Sequence, residues 1–386
     1  MHLRRRQFLR TLAGAWPWAT APFAVQAQAA RRTVAILGDT QRGGFGHDLD
    51  TVFLGRPDLG DVVVADPDLA GRARVVKRVG AVRAHADWRT LIEKERPWLA
   101  CIAMRHATPH FEIARAALEA GAHLYVEKPF VTTLGEADAL LALAKARGLR
   151  IAVAHSMRMA PAVRRLLQVI HEEGRLGELR SLRAHGKQDA RAGGEDLMVL
   201  GTHLMDLMRL FAGNPQWVHA SILQDGRPIT QSDRRRVKDD VGWVAGDHVH
   251  ATFGFRHGVH GSFVSDAPSR DTSGHWGVEW VGTLGSARIL ADLVPRVLVR
   301  VHPQGRPANA TDPWQPLDGV APSDASQHNV PVVTDWLEAI RLNREPECSG
   351  HNGAWAIEMA LGCQAAALAQ ARLPLPLSSR RHPLDP

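Results

Sequence analysis

Short apolar runs alternate with longer amphipathic segments over the first half of the chain. Runs of strand length occur at residues 33–37, 61–65, 98–104, 123–127 and 150–154, and helical periodicity occurs at 69–79, 87–95, 110–120 and 137–147. Gly121 and Gly148 follow two of these helices, and Thr133 with Glu136 forms a capping-box pattern before the last one. This alternation predicts right-handed crossovers and a parallel sheet covered on both faces, which is a doubly wound α/β domain at residues 32–154.

The second half carries a different pattern. A helical segment at residues 161–173 precedes strand patterns at 179–184, 249–255, 258–264, 278–281 and 297–301. Residues 303–322 are rich in proline and asparagine and predict a long loop, and helical patterns at 332–342 and 354–371 close the chain. We therefore predict a second α/β domain at residues 155–386, whose sheet buries one face and leaves the other for association.

Composition and charge narrow the class of protein. The chain has 386 residues, of which 45% are hydrophobic and 23% charged, as in soluble globular proteins of two domains. Four arginines near the amino terminus account for more than half of the net charge of +7, so binding to nucleic acid is not implied. Cys101, Cys348 and Cys363 are odd in number and widely spaced, which predicts neither disulfides nor a metal site.

The first 29 residues have the composition of an export signal. Arg5 and Arg6 precede an apolar run at residues 12–25, and small residues at 27–29 are typical of a cleavage site. The run contains glycine and proline and is too short to be a convincing membrane span. We predict a twin-arginine signal peptide at residues 1–29 and a periplasmic or otherwise exported protein without a membrane anchor after processing. The alternative is an amphipathic or disordered start that stays in the cytoplasm.

Lys128 stands in the most informative stretch, HLYVEKPF at residues 123–130. The apolar residues at 124–126 predict a short buried strand, and Pro129 ends it because proline has no amide proton to donate. In an open parallel sheet the carboxyl ends of the strands face the ligand crevice. An amine at this position can therefore meet a cofactor and a substrate oxygen together.

A glycine-rich turn, GDTQRGGFG at residues 38–46, directly follows the first strand. Such a turn lets backbone amides and a helix amino terminus approach a pyrophosphate. Thr40 stands where the strict G-x-G-x-x-G pattern has its middle glycine, so its side chain either crowds the diphosphate or hydrogen-bonds to it. Asp66 ends the second strand, where a carboxylate can accept both adenosine-ribose hydroxyls, which favours NAD over NADP. An Asp-Pro turn start is the competing interpretation of Asp66.

His203 and Asp206 are three residues apart on a predicted helix at residues 197–211. This spacing puts them on one helical face, where the carboxylate could fix the imidazole tautomer. Histidine suits general acid–base catalysis because its pKa lies near neutrality. The competing interpretation is a histidine packed in the core and bonded to Asp206. Arg158 follows the strand at residues 150–154 and is a candidate ligand contact at the crevice.

Three segments resemble the Gfo/Idh/MocA oxidoreductases, the family of glucose–fructose oxidoreductase and inositol dehydrogenase. They are GDTQRGGFGH, ATPHFEIARAALEAGAHLYVEKPF and GTHLMDLMRLF. The resemblance spans most of the chain after the signal. It implies a Rossmann NAD(P)-binding domain, then an α/β domain with a large, open, mostly antiparallel sheet, and a homodimer or homotetramer. It also implies hydride transfer between a sugar-like alcohol and NAD(P).

The resemblance also implies roles for single residues. Lys128 matches the lysine that approaches nicotinamide and substrate, and His203 takes the place of the base. Many relatives carry an aspartate four residues before this histidine, where this chain has Val199, so a carboxylate partner must be Asp196 or Asp206, or be absent. The predicted cofactor contacts are Gly38, Thr40, Arg42, Gly43, Asp66, His110, Glu127 and Lys128.

We therefore predict an exported NAD-dependent oxidoreductase that acts on a CH–OH group of a sugar, polyol or sugar derivative. Lys128, His203 and Asp206 are its predicted catalytic residues, and Arg158 and Asp196 are predicted substrate contacts. One alternative is an NAD-dependent glycosidase that oxidises its sugar transiently. The other is a non-catalytic protein that binds nucleotide or sugar on the same scaffold.

Overall fold

The predicted doubly wound sheet is present in the computed structural model, which describes residues 32–267, 276–292, 294–302 and 312–385. The predicted signal peptide lies outside these residues. Within them, parallel strands pair in the order β3-β2-β1-β4-β5-β6, which is the strand order of a dinucleotide-binding Rossmann fold. The strands are β1 (Val34–Leu37), β2 (Val62–Ala65), β3 (Arg83–His85), β4 (Leu99–Ile102), β5 (His123–Val126) and β6 (Ile151–Val153).

Local signals set the ends of several helices. Asp68 caps the first helix by accepting from the amide of Gly71, and Gly80 ends that helix with a φ of 66°. Thr133 and Glu136 form the predicted capping box of α4. The helices are α1 (Leu69–Val79), α2 (Trp88–Glu95), α3 (His110–Glu119), α4 (Leu134–Arg147), α5 (Pro161–His171), α6 (Gly194–Val199), α7 (Gly201–Ala212), α8 (Asn329–Leu342) and α9 (Gly350–Ala369).

The connection between β1 and β2 differs from the prediction. The glycine turn leads into a single 3₁₀ turn, Gly46–Asp48, and then into consecutive turns, so the expected helix amino terminus is wrong. His47 and Asp48 have φ values of 49° and 58°, and such left-handed residues cannot propagate a right-handed helix. The pyrophosphate end of the crevice therefore has a turn but no helix dipole.

The second sheet is large, open and mostly antiparallel, as the family resemblance implies. Its order is β15-β14-β13-β12-β7-β11-β10-β8-β16, with β9 paired to β8, and the β7–β11 pair is parallel. The sequence patterns missed β8 and β13 completely. The strands are β7 (Leu179–His185), β8 (Trp217–Gln224), β9 (Arg227–Pro228), β10 (His248–Gly254), β11 (His260–Asp266), β12 (Gly277–Gly282), β13 (Gly285–Leu290), β14 (Arg296–Val301), β15 (Gln315–Pro316) and β16 (Leu373–Pro374).

The helices of the second half divide between the two sheets. Helices α5, α6, α7 and α9 pack their apolar residues against the inner face of the second sheet. Helix α8 instead covers the first sheet, where Trp336 packs beside Tyr125 with ring centroids 6.0 Å apart. The hydroxyl of Tyr125 also donates to Oδ1 of Asn329 at 2.7 Å. Helix α8 therefore packs on the first domain, although the predicted boundary at residue 154 or 155 assigns it to the second.

Two further observations concern the whole described chain. All three cysteines are buried and free of disulfides. No helix among the described residues combines the length and the apolar character that crossing a bilayer requires.

Candidate functional site

A cavity of about 530 Å³ lies between the two sheets. Its walls come from the end of β5, from the end of β6, from the α6–α7 junction and from the loop before β10. Lys128 and His203 both line it. Residues from distant parts of the sequence thus face one enclosed space at the carboxyl ends of the parallel strands, where open α/β sheets bind their ligands.

Lys128 forms the floor of this cavity. Its side chain is almost fully buried, and Nζ donates to the carbonyl oxygen of Val199 at 3.0 Å. Burial lowers the pKa of Lys128 below its ordinary value, and the adjacent carboxylate of Glu127 partly opposes that shift. Because an ammonium has three donors, Nζ can keep the bond to Val199 and still donate to a ligand oxygen.

Glu127 is fully buried next to Lys128 and pairs with a histidine from the glycine turn. Its Oε1 lies 2.8 Å from Nδ1 of His47, whereas Oε2 has no partner among the described residues. Burial alone would raise the pKa of Glu127, but His47 and Lys128 outweigh burial and the pKa ends below its ordinary value. Glu127 is therefore an anion that binds His47 of the glycine turn next to the lysine.

The predicted contact between His203 and Asp206 is wrong. Both carboxylate oxygens of Asp206 accept from Arg158, at 2.7 and 3.0 Å, and Nδ1 of His203 has no partner among the described residues. Burial holds the pKa of His203 well below its ordinary value, and the charge of Lys128 acts in the same direction. His203 is thus a neutral imidazole that no carboxylate orients through Nδ1.

Neither predicted substrate contact reaches the cavity. Arg158 is buried in the ion pair with Asp206, and Asp196 accepts from the hydroxyl of Ser265 at 2.6 Å and from the amide of Gln188 at 3.1 Å. Burial raises the pKa of Asp196. Asp196 therefore fixes the turn after β7 to β11 and is not a partner of His203. Sequence spacing could not reveal this, because both partners come from other elements.

The predicted ribose ligand, Asp66, lies at the end of β2 and is fully buried. Its Oδ2 accepts from the hydroxyl of Thr40 at 2.6 Å, and its Oδ1 accepts from the amides of Thr40 at 3.2 Å and Asp68 at 2.9 Å. A Cβ at Gly71, in the first turn of α1, would overlap the Thr40 hydroxyl. A ribose can reach Asp66 only by exchanging these bonds.

The glycine turn is closed on itself and against its neighbours. Gly38 donates its amide to Ala65 at 3.0 Å, so this amide is engaged within the sheet. Gly43 has a φ of 90° and lies so close to Arg105 and His106 that a Cβ would meet them at 3.0 to 3.1 Å. Arg42 donates to Asp240 at 2.9 Å, in the loop before β10. The second half of the chain thus touches the phosphate end as well as the cavity.

His110 opens α3 as predicted, but its ring is fully buried. Nδ1 lies 3.0 Å from the carbonyl oxygen of Pro129, and Nε2 lies 2.8 Å from that of Met104. Burial lowers the pKa of His110. The imidazole therefore lies between the end of β4 and the turn that carries Lys128. Its contact with cofactor stays a prediction.

Several lining residues were missed by the sequence patterns. His47 immediately follows the glycine turn, and this position was its only available signal. Arg191, Asp239 and Trp276 come from loops that no periodicity marks, and Asn329 is the first residue of α8. Arg191 is bound by Asp189 through bonds of 2.6 and 3.0 Å, so it is held in place at the wall.

The residues beside the cavity that contains Lys128 and His203 fit the nicotinamide end of the cofactor. The unpartnered Oε2 of Glu127 and Nδ1 of His203 are buried polar atoms beside the cavity, and the strand order supplies the nucleotide crevice. No cluster of three or more histidine, cysteine, aspartate or glutamate side chains in the described ranges could hold a metal ion.

Comparison with known proteins identifies the class. The family described as "Oxidoreductase family, NAD-binding Rossmann fold" matches residues 33–155, and the "GFO/IDH/MocA C-terminal domain" matches residues 163–288. The chain belongs to the Gfo/Idh/MocA oxidoreductase family, and its first domain is an NAD-binding Rossmann fold.

Two of the named relatives are sugar dehydrogenases. The chain is 28% identical over 249 residues to levoglucosan dehydrogenase of Pseudarthrobacter phenanthrenivorans, and this match covers 58% of the chain and 63% of the relative. It is 44% identical over 59 residues to UDP-N-acetylglucosamine 3-dehydrogenase of Acidithiobacillus ferrooxidans, which covers 15% of the chain and 19% of that protein. The chain thus spans less than two thirds of the length of these curated relatives.

Solved structures share the fold over a longer range. A levoglucosan dehydrogenase complex with NADH and levoglucosan superposes with a TM-score of 0.71 at 22% identity, covering 90% of this chain and all of that one. At this identity the likeness establishes the fold alone.

Proposed function

We propose that this protein is an NAD-dependent oxidoreductase that oxidises or forms a CH–OH group of a sugar, polyol or sugar derivative. The observation that carries the proposal is the presence of Lys128 and His203 in one cavity of about 530 Å³. The sugar dehydrogenases among its relatives support the choice of substrate class.

The proposed chemistry uses two side chains from different domains. Bound NAD supplies the hydride acceptor. Lys128 donates a hydrogen bond to the reacting oxygen and offsets its negative charge, while His203 accepts the hydroxyl proton. His203 is suited to accept because burial keeps it neutral.

The test compares Lys128→Met and His203→Asn with the parent protein. Each is assayed with NAD and with levoglucosan, other anhydrosugars, monosaccharides and polyols. We expect turnover to fall by about 100-fold or more in both variants, which is the usual contribution of a proton-handling group, with NAD binding retained. Lys145→Met and His257→Asn are matched controls, because both residues are exposed and far from the cavity lining.

Two results would refute the proposal. One is turnover at the parent rate in variants that bind NAD. The other is release of free sugar from a glycoside without net change in NADH absorbance, which would favour the glycosidase alternative.

We also propose export through the twin-arginine route. The support is the Arg5-Arg6 pair ahead of the apolar run at residues 12–25. The full chain should appear in the periplasm of a bacterial host, and Arg5→Lys with Arg6→Lys should keep it in the cytoplasm. Equal distribution of both forms would reject export.

A homodimer or homotetramer is our third proposal. The face of the second sheet that points away from the helices carries Glu279 and Arg288, and Trp314 stacks on Arg288 at 4.2 Å. Light scattering should give a mass two or four times that of one chain. A monomer at micromolar concentration would contradict this proposal.

A further inference from the structure

Three imidazole nitrogens lie buried beside the cavity without a hydrogen-bond partner among the described residues. They are Nδ1 and Nε2 of His155 and Nδ1 of His203. His155 is 2% exposed, and His203 is 9% exposed. Buried polar atoms in native proteins are nearly always paired, so these three nitrogens have hydrogen-bonding capacity that the described side chains leave unused.

The two rings touch each other. Their centroids are 5.6 Å apart and their planes cross at 71°. The backbone of His155 is fixed, because its amide donates to Val153 at 2.7 Å and its carbonyl accepts from the thiol of Cys348 at 3.5 Å. The outer torsion of a histidine side chain is soft. Rotation about that torsion can turn a nitrogen of His155 towards Nδ1 of His203.

The positive charge of Lys128 acts on His203. Besides burial, the groups that lower its pKa are Lys128, His155 and His47. The position four residues earlier is Val199, which offers only its carbonyl oxygen, and that oxygen accepts from Lys128. A proton taken up by His203 therefore adds positive charge next to a lysine, with no carboxylate bonded to Nδ1 to offset it.

His155 has an anion on its far side. Burial brings the pKa of His155 to about 4, and Asp206 is the strongest charge that acts against this shift, with Glu127 adding to it. Arg158 and Lys128 act in the direction of burial. The charge of Asp206 therefore favours a proton on His155, whereas no carboxylate is bonded to Nδ1 of His203.

We propose that His155 is a positioning residue that bonds to Nδ1 of His203 and accepts the proton that His203 receives from the substrate. This proposal rests on the proposed function. The substrate O–H bond breaks as an N–H bond forms on the other nitrogen of His203. The Nδ1–H bond of His203 then breaks as an N–H bond forms on His155. The charge thereby moves away from Lys128 and towards Asp206.

The kinetic test uses His155→Gln, which can hydrogen-bond but not carry the proton, and His155→Phe, which keeps the ring volume. With NAD and levoglucosan, we expect kcat to fall by about 10- to 100-fold with KM within about twofold. The solvent deuterium isotope effect on kcat should increase, because proton transfer becomes slower relative to the other steps. A purely structural role would not change this isotope effect. His257→Asn is the control.

A second measurement does not depend on turnover. In protein labelled with ¹⁵N-histidine, the His203 signals are assigned by their loss in His203→Asn. We expect His155→Phe to shift the Nδ1 signal of His203, whereas His257→Asn leaves it in place. An unmoved signal, or an unchanged isotope effect in an active enzyme, would overturn the proposal. A moved signal in a protein that oxidises none of the sugars would uphold the histidine pair and reject the proposed function.

Discussion

The two ends of the nucleotide crevice differ in how their polar groups are satisfied. At the cavity end, buried atoms of Glu127, His155 and His203 have no partner among the described residues. At the turn end, backbone amides already donate to protein oxygens, and these are the amides of Gly38, Thr40, Gln41, Arg42, Gly44 and Gly46. The cavity end therefore has polar atoms that a ligand can bind, whereas the amides of the turn end are already bonded within the protein.

The cavity end is thus arranged for the chemical step, whereas the turn end controls how the cofactor binds. Groups that stabilise a reacting oxygen act best when they are positioned in advance. At the cavity end, the bond from Lys128 to the carbonyl oxygen of Val199 holds the lysine in place. The turn end must exchange internal hydrogen bonds for those of a diphosphate and a ribose. We infer that cofactor binding rearranges the turn and leaves the cavity floor in place.

The largest expected effect tests the rigidity of the cavity end. Asp206→Asn removes the charge that pairs with buried Arg158, and breaking such a pair costs about 3 to 5 kcal/mol in the free energy of unfolding. Asp138→Asn is the matched control, because Asp138 also accepts two bonds from an arginine, Arg380, but is half exposed. The control should lose less than about 1 kcal/mol. Urea unfolding measures the free energy of unfolding of both variants. Equal losses would show that the buried pair stabilises the protein no more than the exposed pair does.

The second expected effect is a pH dependence of stability that comes from His155, also at the cavity end. Burial lowers the pKa of His155 from 6.5 to about 4, so its contribution to stability is complete above pH 6.5 and is lost as the pH falls towards 4. The expected loss is about 3 kcal/mol. His155→Phe should remove this part of the slope, while His123 and His382, whose pKa values are also about 4, keep theirs. An unchanged slope in thermal melts from pH 7 to 4 would contradict the assignment.

The sequence predicted the scaffold better than the site. Helix α1 has the predicted bounds, because Asp68 and Gly80 are local signals that act within a few residues. Strand β8 was missed although Val218, Ala220 and Ile222 alternate along it. The pairing of Asp206 with Arg158 could not be predicted, because a helical face fixes which residues are neighbours on one helix but not which side chain arrives from another element.

The third prediction concerns the turn end. Thr40→Gly frees Oδ2 of Asp66 from the Thr40 hydroxyl and restores the middle glycine, so the affinity for NAD should rise by about 3- to 10-fold. Asp66→Asn should lower that affinity by a similar factor. Calorimetric titration of nucleotide-free protein decides between the two roles of Thr40. Weaker binding by Thr40→Gly would mean that the threonine itself bonds to the diphosphate.

The smallest expected effect concerns Arg42. Its ion pair with Asp240 either only holds the crevice closed, or gives way when Arg42 contacts the cofactor. Arg42 reaches Asp240 at 2.9 Å, and Asp240 also accepts from the hydroxyl of Thr108 at 2.7 Å, so this ion pair joins the turn to the second domain. Because Arg42 is half exposed, the pair contributes less than about 1 kcal/mol. If it only latches the crevice, both Arg42→Ala and Asp240→Asn should speed NADH dissociation by about two- to fivefold in stopped-flow fluorescence.

The two variants diverge if Arg42 contacts the cofactor, as the sequence predicts. Asp240→Asn would then free the guanidinium and slow dissociation, whereas Arg42→Ala would speed it by about tenfold or more, since charged hydrogen bonds are the stronger ones. Arg89→Ala is the control, because Arg89 forms an exposed pair with Glu112 on the same domain. If the two variants change the rate of NADH dissociation in opposite directions, the turn opens so that Arg42 can leave Asp240 and contact the cofactor. If both variants speed dissociation, the ion pair only closes the turn over the bound cofactor.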